Sequence, residues 1–185
     1  MGKLREGQMA PAFETVDHFG APVSLKALRG QRVLLSFYRY ASCPLCNLRV
    51  NALIRQYPAL AGDGLRVIGV VQSPAAEIAR YVGRQDAPFP FVPDPKQLHY
   101  KRWGVEPSWR GFFVAATKLG KVVDAAKAGF WPGWISGPMH QMPADFLIDE
   151  AGRLVRCHYG QDAGDHLDFA DIVAFARSGR VTEGV

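Results

Sequence analysis

The stretch that decides the fold is residues 31–51, QRVLLSFYRYASCPLCNLRVN. It starts with aliphatic and aromatic residues at 33–38, bounded upstream by Gly30, and this run predicts a buried central strand. A short turn follows, and then apolar residues at helical spacing. Pro44 lies where the first turn of a helix tolerates proline, because the N–H it lacks would have no helical partner. The order of strand, turn and helix places Cys43 at the N-terminus of that helix.

The cysteine pair in this stretch has the spacing of a reactive dithiol. At a helix N-terminus, unpaired backbone N–H groups and the positive end of the helix dipole favour the thiolate of Cys43, which is the reactive form. Cys46 follows three residues later, nearly one helical turn on, so the two sulfurs can meet without unwinding the helix. The alternative, two packed core thiols, fits poorly with a proline between them. The pair therefore predicts a reversible dithiol and disulfide.

The composition limits the classes of protein to which this chain can belong. A chain of 185 residues with 48% hydrophobic and 21% charged residues predicts one folded domain, residues 1–185. The net charge of +5 comes from scattered basic residues, which do not predict nucleic-acid binding. No apolar stretch reaches the length of a membrane span and no signal peptide is seen, so we expect a cytoplasmic protein. A zinc site needs about four ligands, and Cys157 lies far from the pair, so neither metal nor cofactor is predicted.

Further elements are predicted around the central strand. Residues 32–71 form a β-α-β unit, which implies a parallel pair of strands. Ser73 is the expected N-cap of the next helix. The other predicted elements are an N-terminal β element within residues 7–30, an edge-like strand at 89–92, a helix after Asp94, a hairpin at 144–159 and a C-terminal helix from Gly164 or Asp165.

The region around residues 105–142 is the least regular. Apolar residues between Trp109 and Lys127 have loose helical spacing, and residues 129–143, GFWPGWISGPMHQMP, are dense in glycine, proline and aromatic residues. Two interpretations remain open: an irregular cover over the core, or a loop near the active site that shapes substrate access. Trp131 and Trp134 are expected to pack or to anchor such a loop, or to form a dimer contact.

Three pieces of sequence carry a family resemblance. They are residues 7–13 with 23–30, the strand and cysteine loop at 36–46, and the proline, strand and turn at 142–149. On these pieces the chain resembles the redoxin branch of the thioredoxin-fold proteins, the peroxiredoxin-like proteins of the AhpC/TSA type. The similarity covers nearly the whole chain apart from about residues 108–141.

The resemblance implies a fold and a set of site residues. The fold class is α/β, a thioredoxin-like fold with a central mixed β-sheet flanked by helices, an N-terminal β extension and an insertion around 105–142. Cys43 is implied to be the attacking, or peroxidatic, thiol and Cys46 the candidate resolving thiol. Pro143 is implied to be a cis-proline packed against the disulfide.

The chain also departs from the family pattern. Typical members place Thr or Ser three residues before the reactive cysteine and Pro four residues before that, where this chain has Tyr40 and Ser36. The family's second arginine is missing at residues 142–144. Arg39 or Arg49 could supply a guanidinium, although Arg39 could equally be a surface residue at a strand end. Tyr40 keeps a hydroxyl, and together these changes imply a slow or selective peroxidase.

The predicted function is that of a thiol oxidoreductase that reduces peroxides or protein disulfides through Cys43. Cys46 would capture the sulfenic acid as a disulfide, and a thioredoxin- or glutathione-type reductant would restore the dithiol. The alternative is a non-enzymatic redox sensor or binding module that uses the same disulfide as a switch. No nucleic-acid or membrane partner is predicted, and a homodimer is left open. Cys157 is expected to be a packed strand residue rather than a resolving thiol.

Overall fold

The strands form two sheets in the computed structural model, which describes residues 2–110, 119–131, 133 and 135–181. The smaller sheet is an antiparallel pair, and the larger has five strands in the order β5-β4-β3-β6-β7. The strands are β1 (Glu14–Val16), β2 (Pro22–Ser24), β3 (Arg32–Phe37), β4 (Leu65–Val71), β5 (Phe91–Pro93), β6 (Ala144–Ile148) and β7 (Leu154–Tyr159).

Five α-helices accompany the sheets in the described part of the chain. They are α1 (Pro44–Gly62), α2 (Ala75–Arg80), α3 (Leu98–Arg102), α4 (Leu119–Lys127) and α5 (Phe169–Ser178), with a 3₁₀ turn at Val82–Gln85. None of these helices is long and apolar enough to cross a membrane.

The central position of β3 follows from its pairing. β3 lies parallel to β4 and antiparallel to β6, so the sheet is mixed and the predicted β-α-β unit is confirmed. β5 pairs only with β4 at one edge of the sheet, as the proline beside it predicts. The antiparallel register places Ser36 opposite Asp145 and Phe37 opposite Ala144.

The sheet separates two cores. Side chains alternate along β3, with Leu34 on one face and Leu35 on the other. The first core contains residues of α1 and α5 together with both Cys43 and Cys46. The second core lies under α3 and the β1–β2 pair, and Cys157 packs against it from β7. The reactive pair and the third cysteine are therefore on opposite faces of the sheet.

The N-cap of α2 differs from the prediction, and the structure gives the bounds of α1. Ser73 does not cap α2, because its hydroxyl instead accepts a hydrogen bond from the Ala41 N–H at 2.9 Å and Pro74 takes the cap position. α1 runs through Pro58 and ends at Gly62. Gly64, just beyond, has a positive φ of 88°, a conformation that glycine adopts without the steric cost of a Cβ.

The inserted region is partly helical. The helical spacing expected between Trp109 and Lys127 is confirmed for α4, which contacts α1. Residues 111–118 and Trp134 lie outside the described residues, so the predictions made for them are not addressed. From residue 128 to β6 the described chain is irregular.

Candidate active site

Cys43 lies where β3 gives way to α1. It is the N-cap residue of α1, with φ −66° and ψ 118°, and Pro44 opens the helix as predicted. Its N–H donates to the carbonyl of Tyr40 at 3.0 Å, and its own carbonyl accepts from the Asn47 N–H at 3.0 Å. The residue is only 1% exposed, so its thiol is enclosed by protein.

Arg39 brings a positive charge to the Cys43 sulfur. The Arg39 Nη1 atom lies 3.5 Å from Cys43 Sγ, and Arg39 is 4% exposed. The alternative prediction, that Arg39 is a surface residue at a strand end, is therefore wrong. Arg49 is occupied elsewhere, since it donates to the Leu167 carbonyl at 2.6 Å and its guanidinium lies 3.9 Å from the Phe169 ring centroid.

The two thiols of the pair have opposite tendencies to ionise. The pKa of Cys43 is lowered to about 6, chiefly by a hydrogen bond with the Cys46 thiol; burial opposes this, while the Arg39 charge and the N–H groups of Cys46 and Leu45 add to it. The pKa of Cys46 is raised well above its ordinary value by burial and by Cys43. The Cys43 thiolate is therefore favoured both by the neighbouring thiol and by N–H groups at the start of α1.

Tyr40 borders the same site. It is buried, and the guanidinium carbon of Arg39 lies 5.1 Å from the centroid of its ring. Burial first and the Cys43 charge second raise the pKa of Tyr40 to about 12, so its hydroxyl keeps its proton at neutral pH. Tyr40 therefore brings a protonated hydroxyl into the neighbourhood of Cys43.

Residues 136–142, which we call the cover segment, are fastened to the surroundings of Cys43. Their hydrogen bonds to the site run from the Arg39 guanidinium to the Met139 carbonyl, from the Gln72 amide to the carbonyls of Ser136 (3.1 Å) and Pro138 (3.1 Å), and between the hydroxyls of Ser73 and Ser136. These contacts place the cover segment beside the active site, and a role in shaping substrate access stays a prediction.

Pro143 does not have the predicted geometry. The described chain contains no cis peptide bond, so the bond from Met142 to Pro143 is trans. Trans is the more stable isomer even before proline, and here it leads directly into β6, where the Pro143 carbonyl accepts from the Gly160 N–H at 2.9 Å. Pro143 lines a groove of about 980 Å³ together with His166, and Cys43 is not among the residues that line it. A role for Pro143 in catalysis stays a prediction.

A comparison of the sequence with known protein families agrees with this fold and site. Residues 7–156 match the AhpC/TSA family. This chain belongs to the AhpC/TSA family. It is therefore a peroxiredoxin-like oxidoreductase, and the resemblance read from the sequence is confirmed.

Two curated relatives illustrate the similarity. A Mycobacterium tuberculosis protein provisionally named as a peroxiredoxin is 27% identical over 165 residues, which cover 89% of this AhpC/TSA chain and 91% of the relative. Peroxiredoxin Bcp of Escherichia coli is 29% identical over 105 residues, covering 57% of this chain and 67% of that protein.

Solved structures support the fold. Peroxidoxin BcpB from Mycobacterium tuberculosis superposes with a TM-score of 0.68 at 18% identity, over 96% of this chain and 99% of that one. A Chlorobium tepidum protein provisionally named as a thiol:disulfide interchange protein DsbE gives a TM-score of 0.61 at 20% identity, over 85% and 86% of the two chains. The predicted thioredoxin-like fold of this AhpC/TSA protein is confirmed.

A buried carboxylate on β6 escaped the sequence analysis. Asp145 is fully buried and accepts hydrogen bonds from the Ser36 hydroxyl, from His166 Nδ1 at 3.0 Å and from the Leu167 N–H at 2.7 Å. Burial alone would raise the pKa of Asp145, but His166, Arg49 and Ser36 outweigh it and hold that pKa well below its ordinary value. The available signal was one polar residue in each of two apolar strands, at Ser36 and Asp145.

Cys157 lies on the opposite face of the sheet from Cys43, whereas His140 belongs to the cover segment. Cys157 is partly buried, and its pKa is raised to about 12 by burial and then by Glu6. The His140 ring stacks on Trp109 with centroids 4.1 Å apart. Within the described ranges, no group of three or more His, Cys, Asp or Glu side chains is placed to hold a metal ion.

The pKa values predict which cysteine reacts first with an alkylating agent. Under limiting iodoacetamide, we expect the rate at Cys43 to rise with pH through a midpoint near 6 and then level off, because the thiolate is the reactive form. Cys157, with its pKa raised to about 12, should remain nearly unmodified at pH 7 despite its greater exposure. Peptide mass spectrometry across a pH series measures both rates, and preferential modification of Cys157 at neutral pH would contradict the assignment.

Proposed function

We propose that this AhpC/TSA protein reduces hydroperoxides through a thiolate at Cys43 and a disulfide between Cys43 and Cys46. The observation that carries the proposal is the placement of the Cys43 sulfur, which hydrogen-bonds with the Cys46 thiol and lies 3.5 Å from the Arg39 guanidinium. A thiolate, a neighbouring thiol and a fixed positive charge are the groups that this chemistry needs.

The first step forms a sulfenic acid. The Cys43 thiolate attacks one peroxide oxygen, the O–O bond breaks, and the other oxygen leaves as an alcohol or water after it takes a proton. In the second step the Cys46 sulfur attacks the Cys43 sulfenic acid, which yields the disulfide and water. Two equivalents of thiol, or one dithiol, then return the pair to the reduced state.

Arg39 and Tyr40 are proposed to assist the first step. Negative charge develops on the leaving oxygen as the O–O bond breaks, and fixed donors that meet that charge lower the barrier. The Arg39 guanidinium is already beside the sulfur, so we assign it the part that the family's missing arginine would play. The protonated Tyr40 hydroxyl is proposed as a second donor in place of the family's Thr or Ser.

The reductant, the location and the assembly of the protein are also proposed. The family implies a reductant and a peroxide or disulfide substrate, and a thioredoxin- or glutathione-type reductant would satisfy that need. A catalytic rather than structural cysteine pair is typical of a reducing compartment, so a cytoplasmic location is proposed. The single-domain organisation and the homodimer stay predictions.

Parallel turnover assays test the function. We expect the wild-type protein to consume hydrogen peroxide in the presence of thioredoxin and its reductase, and Cys157→Ser to match it, since Cys157 lies on the other face of the sheet. Insulin disulfide reduction is measured beside it. Insulin reduction without peroxide consumption would replace the proposal with a disulfide reductase. If the disulfide forms but neither assay shows turnover, the protein is a redox sensor.

A further inference from the structure

We propose that Gln97 is a positioning residue for the chemistry of Cys43 and acts on it through the cover segment. Gln97, which precedes α3, joins two other glutamines in a hydrogen-bonded network that holds this segment. The cover segment in turn offers the Met139 carbonyl to the Arg39 guanidinium. The inference rests on the proposed function and concerns what keeps Arg39 beside the reactive sulfur.

Three side-chain amides, of Gln72, Gln97 and Gln141, form what we call the glutamine network. Gln72 directly follows β4, and Gln141 belongs to the cover segment. The Gln97 side-chain NH₂ donates to Gln72 Oε1 at 2.8 Å and to Gln141 Oε1 at 3.2 Å. Gln72 is 1% exposed and Gln141 is fully buried, so their side-chain oxygens depend on partners within the protein.

The orientation of each amide in the glutamine network is fixed by its partners. The Gln72 NH₂ donates to the carbonyls of Ser136 and Pro138, both at 3.1 Å. The Gln141 NH₂ likewise donates to main-chain carbonyls, so the side-chain oxygens of both residues face Gln97. Two acceptors need a donor between them, and Gln97 supplies both of its N–H groups. Loss of this amide removes the bond between the two other glutamines.

The backbone of Gln97 has a conformation that disfavours glutamine. Its φ of 55° and ψ of 37° lie in the left-handed region, which glycine and asparagine adopt at lower cost. Capping of α3 does not explain the residue, because the Asp94 carboxylate accepts from the N–H groups of Leu98 and His99 at 2.9 and 2.8 Å. The Gln97 side chain makes no capping bond and is used by the glutamine network instead. Strained backbone of this kind is often kept where a side chain serves a functional site.

The glutamine network meets the cover segment at close range. A Cβ added at Gly137 would lie 3.1 Å from the Gln72 side-chain carbon Cδ, which is tighter than ordinary van der Waals contact. Gly137 also has a positive φ of 79°. The backbone of the cover segment therefore lies directly against the Gln72 amide, and a displacement of that amide moves the segment.

Two contacts of Arg39 complete the connection from the cover segment to the sulfur. Its Nη2 atom donates to the carbonyl of Met139, the residue after Pro138, and its Nη1 atom lies 3.5 Å from Cys43 Sγ. A guanidinium is planar and rigid, so a partner that holds one nitrogen also fixes where the other lies. Release of the cover segment should therefore let Arg39 move away from Cys43.

Gln97→Gly tests the proposal, because glycine suits the left-handed backbone and removes only the amide side chain. We expect the single-turnover peroxide rate to fall about 2–30-fold, the range for residues that act through a network. The pH midpoint of Cys43 alkylation should rise, because the Arg39 charge that favours the thiolate moves away. Gln97→Asn is the second variant, since it keeps a neutral amide and tolerates this backbone but is too short to bridge both partners. It should change both measurements in the same direction.

Asp86→Gly is the matched control. Within the described residues, Asp86 is the only other non-glycine residue with a positive φ, which is 49°, and its side chain is exposed. The substitution relieves the backbone in the same way without touching the glutamine network. The peroxide rate and the alkylation profile should stay at their wild-type values, and circular dichroism confirms that each variant is folded.

Repeating Gln97→Gly in an Arg39→Met background separates positioning from a general loosening of the fold. A residue that acts through Arg39 no longer shifts the alkylation midpoint once Arg39 is absent, whereas a loosened fold shifts it in both backgrounds. A shift of equal size in both backgrounds overturns the proposal, and so does a Gln97→Gly profile that matches the wild type. Alkylation needs no peroxide. If the wild type failed to consume peroxide, the proposed function would be lost and this test would still decide the role of Gln97.

Discussion

Cys43→Ser should reduce peroxide turnover on the order of 10³-fold or more, to the level of the uncatalysed background. A serine hydroxyl does not ionise near neutral pH and so supplies no nucleophile, whereas the pKa of the Cys43 thiol is lowered to about 6. Peroxide consumption at limiting enzyme, with a coupled reductant supply, gives the rate. The serine is nearly isosteric and the site is buried, so the fold should survive, and circular dichroism checks that it does.

Cys46→Ser is the matched partner of this variant. It keeps the Cys43 nucleophile, so one equivalent of peroxide should still be consumed and a sulfenic acid should accumulate, which a dimedone adduct reveals. Steady turnover with a dithiol protein reductant should fall, because no intramolecular disulfide can form. Substantial peroxide turnover by Cys43→Ser would refute the assignment of the attacking thiol.

Arg39→Met should lower the rate of peroxide reduction about 10²–10³-fold, the usual loss when one fixed donor to the transition state is removed. Methionine fills much of the same space but brings no charge to Cys43 Sγ. In the wild type, the Arg39 guanidinium lies 3.5 Å from that sulfur. The pKa of Cys43 should rise towards its ordinary value, because the Arg39 charge favours the thiolate. Single-turnover peroxide kinetics measure the first effect, and the pH profile of alkylation measures the second.

The same variant separates catalysis from access. Arg39 also holds the cover segment through the Met139 carbonyl, so Arg39→Met should make Cys43 more accessible to iodoacetamide at high pH while its peroxide rate falls. Arg39→Lys keeps the positive charge but lacks the paired N–H donors of a guanidinium. Its peroxide rate should lie between those of the wild type and Arg39→Met. Arg55→Met is the control, since Arg55 is an exposed residue of α1. An unchanged peroxide rate in Arg39→Met would remove Arg39 from the mechanism.

Local patterns in the sequence predicted the elements that local forces determine. A proline after Cys43 predicted the start of α1, and apolar runs predicted β3 and β4, because these signals lie within a few residues of one another. Features set by distant partners were not predictable. Ser73 has good capping chemistry for α2, but its hydroxyl is used by Ala41 and Ser136, residues far away in the chain.

The candidate site likewise combines features set by neighbouring residues with features set by distant partners. The proposed reactivity of Cys43 and its hydrogen bond with the Cys46 thiol follow from spacing within one helical turn. The choice of Arg39 over Arg49 depends on which guanidinium the loop turns inward, and sequence spacing does not determine that. The network of Asp145, Ser36 and His166 depends on strand register, since Asp145 meets Ser36 only because β3 and β6 pair as they do.

The cover segment is fastened largely through main-chain carbonyls, at Ser136, Pro138 and Met139. Every amino acid presents such a carbonyl, so many substitutions there would preserve these contacts as long as the backbone keeps its path. Selection on residues 138–140 should then act on their course more than on residue identity, whereas Gly137 has a positive φ of 79° and the buried Gln141 uses its side chain for hydrogen bonds. Among descendants of a common ancestor, we expect residues 138–140 to diverge faster than residues 36–46, while the donors Arg39 and Gln72 persist.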